Sequence, residues 1–156
     1  MDLVQETEML RKIPMFAKLN ASKLKLLAFT SEMVTFESDD IVFCAGDQAD
    51  CAYVLVEGSI DVVTETDKGP VVAVTLHENQ LCGEMALLSN APRSATLKAS
   101  GKVTAMKISA EMFLKLLSEN SDLALDVMRQ LSDKLAKSHH QVETLQYQLE
   151  QQSSTT

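Results

Sequence analysis

The sequence predicts a mainly β domain with flanking helices: a small antiparallel sandwich or barrel, preceded by short helices and followed by a long one. Three observations carry this expectation. Between Val34 and Ser109, short runs rich in β-branched residues alternate with turns bearing Gly and Asp. Outside those limits, apolar residues recur at helical spacing instead. The chain has 156 residues, 46% of them apolar and 23% charged, which suits one core rather than several.

Residues 1–30 are expected to form the N-terminal helices. "DLVQETEMLRKIP" sets Leu3, Leu10 and Ile13 at helical spacing before Pro14 stops the pattern. A second helix is expected after Asn20, with Leu24, Leu27 and Ala28 on one face. Residues 31–109 hold the strand series: "IVFCA", "CAYVLV", "SIDVVTE", "VVAVTL", "SATLKAS" and "VTAMKIS". Gly46, Gly58 and Gly69 fall in the intervening turns, where positive φ is wanted. One segment interrupts the series. "EMALLS" lacks β-branched residues and is built from strong helix formers, so residues 84–89 are expected to make one short helical turn between strands.

Residues 110–152 are expected to be helical. Ser109 caps "AEMFLKLLSEN", and Ser121-Asp122 restarts the pattern after Asn120. From about residue 128, Met128, Leu131, Leu135, Ser138, Val142, Leu145 and Leu149 alternate by three and four, the a/d seam of a coiled coil. A helix packed along its own barrel would also show such a stripe. A domain this small cannot cover it as far as Leu149, so a parallel homodimer through this helix is expected, with "SSTT" frayed at the end.

Composition narrows the function. Asp and Glu outnumber Lys and Arg 22 to 14, a net charge of −8 that argues against direct contact with DNA or RNA. No apolar run is long enough to span a bilayer, and "MDLVQETEML" lacks a signal pattern, so no membrane partner and a cytoplasmic location are expected. Cys44, Cys51 and Cys82 are an odd set without C-x-x-C spacing, best read as small hydrophobes in a reducing compartment. His139 and His140 are adjacent and point to different sides of a helix, so they make no chelating pair. With no activated nucleophile, acid–base carboxylate pair or metal cluster, the chain is not expected to be an enzyme or to carry a cofactor.

The chemistry concentrates in "CGEMALLSNAPRSATL", residues 82–97. A helical turn's first amides attract anions, Gly83 lets the backbone come close, and Arg93 brings a permanent charge in a planar fork. Glu84 does not suit a bare phosphate. It suits a ligand that also carries a hydroxyl donor, since a carboxylate accepting an O–H bond contributes about 1.5–3 kcal/mol. Ribose phosphate has both groups. Glu84 as an ordinary first-turn residue and Pro92-Arg93 as a surface turn fit the same letters.

"GEMALLSNAPRSATL" resembles the phosphate-binding cassette of cyclic nucleotide-binding domains through Gly83, Glu84, Ala86, Leu87, Pro92, Arg93, Ser94, Ala95 and Thr96. The resemblance runs from about Leu10 to Leu145, and "AGDQADCAYVLVEGSIDVV" is similar to the family's strand–turn–strand signature. It implies an eight-stranded jelly-roll (double-stranded β-helix) barrel holding cAMP, with cGMP as the second candidate. Glu84 is implied as the ribose 2′-hydroxyl partner and Arg93 as the cyclic-phosphate partner. Amides near Met85, Ala86 and Ser94 complete the cradle. The helix from Ile108 to Leu145 resembles the dimer helix of the catabolite-activator branch, where two successive hydroxyl residues meet the base; here they are Ser138 and, as a departure, His139. The cassette is preceded by Asn79-Gln80-Leu81-Cys82 where the family often has Gly-Asp and an aromatic, and Asn79 is expected to keep the turn left-handed. The implied role is a sensor that repositions its C-terminal helix in a homodimer and acts on an unidentified protein. The alternatives are a ligand-free dimerisation module of the same fold, the regulatory part of a transcription factor, and a relative of the oxygen-responsive branch, whose cysteines lie nearer the N-terminus than Cys44.

Overall fold

The computed structural model describes residues 2–154, excepting the side chains at positions 134, 138, 141, 153 and 154. Asp2 caps α1 (Leu3–Arg11): its carboxylate accepts from the Gln5 amide at 2.8 Å, and the Gln5 side chain accepts from the Asp2 amide at 3.0 Å. α1 stops at Arg11, short of the Ile13 expected within it, because Pro14 disfavours helical backbone just before itself. Ile13 is still buried, carried inward with Phe16 by a run of turns. α2 (Ala21–Thr30) starts after Asn20, whose side chain accepts from the Lys23 amide at 2.9 Å.

The strands are β1 (Glu32–Phe36), β2 (Ile41–Phe43), β3 (Cys51–Thr66), β4 (Gly69–Leu76), β5 (Leu81–Cys82) and β6 (Thr96–Ser109). They pair antiparallel in the order β1-β6-β3-β4, with β2 also on β6 and β5 also on β3. The described residues thus form six strands where the resemblance implies eight, because β3 and β6 run on through bulges that slip their register at Glu57. Gly58, at φ 90°, makes this possible: a Cβ there would collide with the Lys102 carbonyl oxygen.

β3 explains why "CAYVLV" reads as an unbroken apolar run. Cys51, Tyr53 and Leu55 face an inner cluster with Ile60, Leu97, Val103 and Ala105. Ala52 and Val54 face a second cluster with Met106, Ile108 and residues of the helices, including Leu10, Leu27, Phe113 and Leu116. Both faces are buried, so neither can be polar.

α3 (Glu84–Ser89) lies between β5 and β6 over the expected residues. Ser109 caps α4 (Ala110–Glu119), and α5 (Ser121–Ser154) follows a one-residue break at Asn120. α5 therefore reaches Ser154 rather than fraying from Ser153; Thr155 and Thr156 lie outside the described residues. Its start is fixed to the body of the domain. Leu123 and Val127 are buried, Lys23 Nζ donates to Asn120 Oδ1 at 2.5 Å, and Lys18 pairs with Asp126 at 3.4 Å. Farther along, Met128, Leu135 and Leu149 are 55%, 65% and 63% exposed, so the seam departs from the domain with its apolar face uncovered. No helix among the described residues is long and apolar enough to cross a membrane.

Candidate functional site

β5 ends at Cys82, and the chain turns at once through Gly83, left-handed at φ 79°, into α3. Two constraints meet at this glycine. L-residues resist that backbone, and a Cβ would lie 2.6 Å from Arg93 Nη1 and 3.1 Å from a Phe43 ring carbon. The departure before the cassette is harmless: Asn79 sits at φ 71° and its amide donates to the Leu55 carbonyl at 2.7 Å.

Arg93 is placed by a distant turn. Its amide donates to the Asp47 carbonyl at 2.8 Å, and its own carbonyl accepts from the Gly46 amide at 2.8 Å. Asp47 in turn accepts the Cys44 amide on its carboxylate at 2.9 Å, which holds the Gly46-Asp47 turn in shape. The side chain then enters the inner layer, where Arg93 is only 4% exposed. Nη1 donates to the Gly83 carbonyl at 2.8 Å and Nη2 to the Cys51 carbonyl at 2.6 Å, while Cys51 Sγ is 3.6 Å from Nη2. The guanidinium lies 4.1 Å from the centre of the Phe43 ring, and Phe43 rests against Tyr53 with ring centres 6.4 Å apart. Burial pushes the Cys51 thiol and the Tyr53 hydroxyl up from their ordinary values, so both stay protonated at neutral pH.

This charge is held by dipoles and an aromatic face. Among the described residues no carboxylate pairs with Arg93, and its buried Nε has no hydrogen-bond partner. A cation so desolvated, with a donor unused, is matched by an anion.

The space for one is present. A cavity of about 500 Å³ is bounded at one end by Phe43, Gly83, Glu84, Arg93 and Ser94, and by apolar walls including Val62, Ala73 and Leu97. That volume is in the range of small-ligand sites. Glu84 heads α3 at 2% exposure and faces the same cavity. Met85, Ala86 and Ser94 also line it, so six of the residues singled out from the sequence are brought together. The other two stand apart. His139 is exposed, with Nε2 2.8 Å from Glu143 Oε1, and is not among the lining residues; the Ser138 side chain lies outside the described residues.

Sequence reasoning missed Phe43 and Cys51 beside Arg93, and Leu135 and Lys137 of α5 among the lining residues. Phe43 alternates inward in "IVFCA", a legible signal for burial but not for contact with Arg93. Nothing local marks the other three.

Residues 33–120 match the family described as the cyclic nucleotide-binding domain. The chain is 30% identical over 115 residues to a cAMP-dependent protein kinase regulatory subunit of Blastocladiella emersonii, covering 73% of this chain and 28% of that one. It is 28% identical to the cAMP-activated global transcriptional regulator CRP of Pasteurella multocida, covering 72% of this chain and 54% of the regulator. It thus spans between about a quarter and a half of these relatives' length. Among solved structures, the sensor domain of the transcriptional regulator DNR from Pseudomonas aeruginosa shares the fold, with a TM-score of 0.75 at 23% identity, over 85% of this chain and 90% of that domain.

Proposed function

The chain belongs to the cyclic nucleotide-binding domain family, and on that premise we propose that it is a sensor whose ligand is a purine cyclic nucleotide, cAMP in first place and cGMP second. One observation carries the reading: Arg93, nearly fully buried, has no carboxylate partner among the described residues and keeps an unused Nε donor beside a cavity of about 500 Å³. A cyclic phosphate supplies the missing negative charge and acceptor oxygens. Glu84, at the same end, accepts the ribose hydroxyl. Amides near Met85, Ala86 and Ser94 face the phosphate, as the family resemblance implies. Ser138 contributes to the base contact, while His139, paired with Glu143, serves as a solvated helix residue.

Binding acts as a switch, without a covalent step by this chain. A ligand shifts a conformational equilibrium only by its preference for one state. The element to bias is the α4–α5 joint, which begins against the domain and continues into an exposed seam. Nucleotide draws α3 inward and resets Met112–Leu135. A second copy covers Met128, Leu135, Val142, Leu145 and Leu149, and the dimer passes the change to a protein partner in the cytoplasm rather than to DNA.

Calorimetric titration with cAMP and with cGMP tests the ligand; heat of binding from neither nucleotide removes the sensor reading. Hydrogen exchange in the ligand-saturated protein tests the switch. Slower exchange along residues 110–140 is expected, and identical protection with and without nucleotide rules the switch out. Sedimentation tests the seam: a concentration-dependent dimer is expected, weakened by Leu145→Lys.

A further inference from the structure

The run into β5 brings to the cavity a polar side chain that the cassette does not include. Tyr53 pairs with Cys82 and Val54 with Leu81, and the ladder runs on through the Leu55 amide, which donates to the Gln80 carbonyl at 3.0 Å. Successive side chains along a strand point to opposite faces. Leu81 accordingly packs with Ala52, Val54 and the helices, while Cys82 lies on the inner side with Tyr53 and Leu55. Gln80, one step beyond Leu81 and opposite Leu55, takes that inner side as well, and both Gln80 and Cys82 line the cavity.

A local bond orients the Gln80 carboxamide. The His77 amide donates to Gln80 Oε1 at 2.6 Å, and a backbone N–H can meet only the oxygen in this way. The acceptor is thus engaged within the turn, and Nε2 is left with two donors. Gln80 is exposed, and its Nε2 makes no hydrogen bond among the described residues. Its place in the lining says what those donors meet. Arg93 Nη1 holds the Gly83 carbonyl at 2.8 Å, and Gln80 stands back from Cys82 by two residues, about 7 Å of extended chain. That is too far to share the phosphate oxygens held by Arg93. Across the turn come Leu76 and Val74, on the inner face with their partners Ile60 and Val62. With phosphate at Arg93 and ribose at Glu84, the base is the part of the ligand left to lie along these walls. Adenine and guanine share ring-nitrogen acceptors at positions 3 and 7.

We propose that Gln80 is a specificity-determining residue whose Nε2 donates to a ring nitrogen, N3 or N7, of the bound purine. This rests on the cyclic nucleotide reading of the site. The contact selects purines as a class and ignores the group at position 6, so cAMP and cGMP gain from it alike.

The test is calorimetric titration of the full chain, wild type and Gln80→Leu, with cAMP, cGMP and the 3-deaza and 7-deaza analogues of cAMP, in each of which carbon replaces one ring nitrogen. Leucine is of similar bulk and removes both donors. On substitution, cAMP and cGMP should each weaken by about threefold to tenfold, as for a hydrogen bond between neutral groups. In the wild type, one deaza analogue should be weaker than cAMP by the same factor, and Gln80→Leu should cost it nothing further; that analogue identifies the nitrogen. The wild-type comparison does not depend on how the variant folds. If both deaza analogues still weaken on substitution, Gln80 acts through the sugar phosphate or the shape of the turn, and the proposal is overturned. It is overturned as well if no ligand weakens, or if the wild type binds both analogues as tightly as cAMP. These outcomes leave the sensor reading standing, since cAMP or cGMP still binds. If the wild type binds neither cAMP nor cGMP, the sensor reading and this one fall together.

Discussion

Two parts of the cavity lining are built differently. In the cassette, Arg93 is anchored through its backbone to Gly46 and Asp47, through its nitrogens to the Gly83 and Cys51 carbonyls, and through its flat face to Phe43. On α5, Leu135 and Lys137 line the same cavity yet are exposed and carry no such anchors among the described residues. Ordering costs are met in advance in the cassette, so under the proposed function contacts made there would translate into affinity. The exposed α5 residues lack such anchors among the described residues, and under the proposed switch they are where a ligand would change a population. Under the proposed function, affinity and response would be carried by different parts of the lining of one cavity of about 500 Å³.

Breaking the anchored part gives the largest expected effect. Arg93→Ala removes the charge and should weaken cyclic nucleotide binding by at least tenfold to a hundredfold, equivalent to about 1.5–3 kcal/mol. Calorimetry reads this, and unchanged affinity would remove Arg93 from the site. Gly83→Ala comes next. Its Cβ meets Arg93 Nη1 at 2.6 Å in a left-handed backbone, so affinity and stability should fall together. The backbone strain alone is about 1–2 kcal/mol, or a few degrees in melting temperature. A variant that binds and melts like the wild type would show that the cassette tolerates a moved guanidinium.

Phe43→Leu separates holding Arg93 from bearing its charge. Loss of the cation–π contact is worth about 0.5–2 kcal/mol, expected as weaker binding of cyclic nucleotide but not of the uncharged nucleoside. Equal weakening of both would make Phe43 a wall of the cavity and nothing more. Leu135→Ala sharpens the other side: affinity should change by only a fewfold, while ligand-induced protection of α5 should diminish. The smallest effect concerns thiols. Cys44 is exposed, whereas Cys51 and Cys82 are buried and burial raises Cys51, so one thiol should react rapidly with a disulfide reagent at neutral pH. Fast reaction of three would mean that the anchored part opens readily.

Much of the molecule was legible locally. Asn20 and Ser109 as caps, the break at Asn120, the left-handed Asn79 and the helix over 84–89 follow from residues within a few positions of each other. Gly83 and Arg93 stand within the same short stretch, which is why the sequence marks them as candidates. The end of α1 was misplaced because the spacing of Ile13 fits a helix that Pro14 forbids. The eight strands became six because a bulge interrupts pairing without interrupting the strand, which composition does not express.

The order of elements and the short helix over residues 84–89 belong to the sequence itself, since periodicity and helix propensity act over short range. What surrounds Arg93 does not. The Cys51 carbonyl lies 42 residues away along the chain, and Phe43, Leu135 and Lys137 come from still other elements. Only the folding of the sheet and the path of α5 bring these together, because a guanidinium's donors are satisfied by whatever carbonyl or ring arrives within reach. No pattern of letters near position 93 records that arrival.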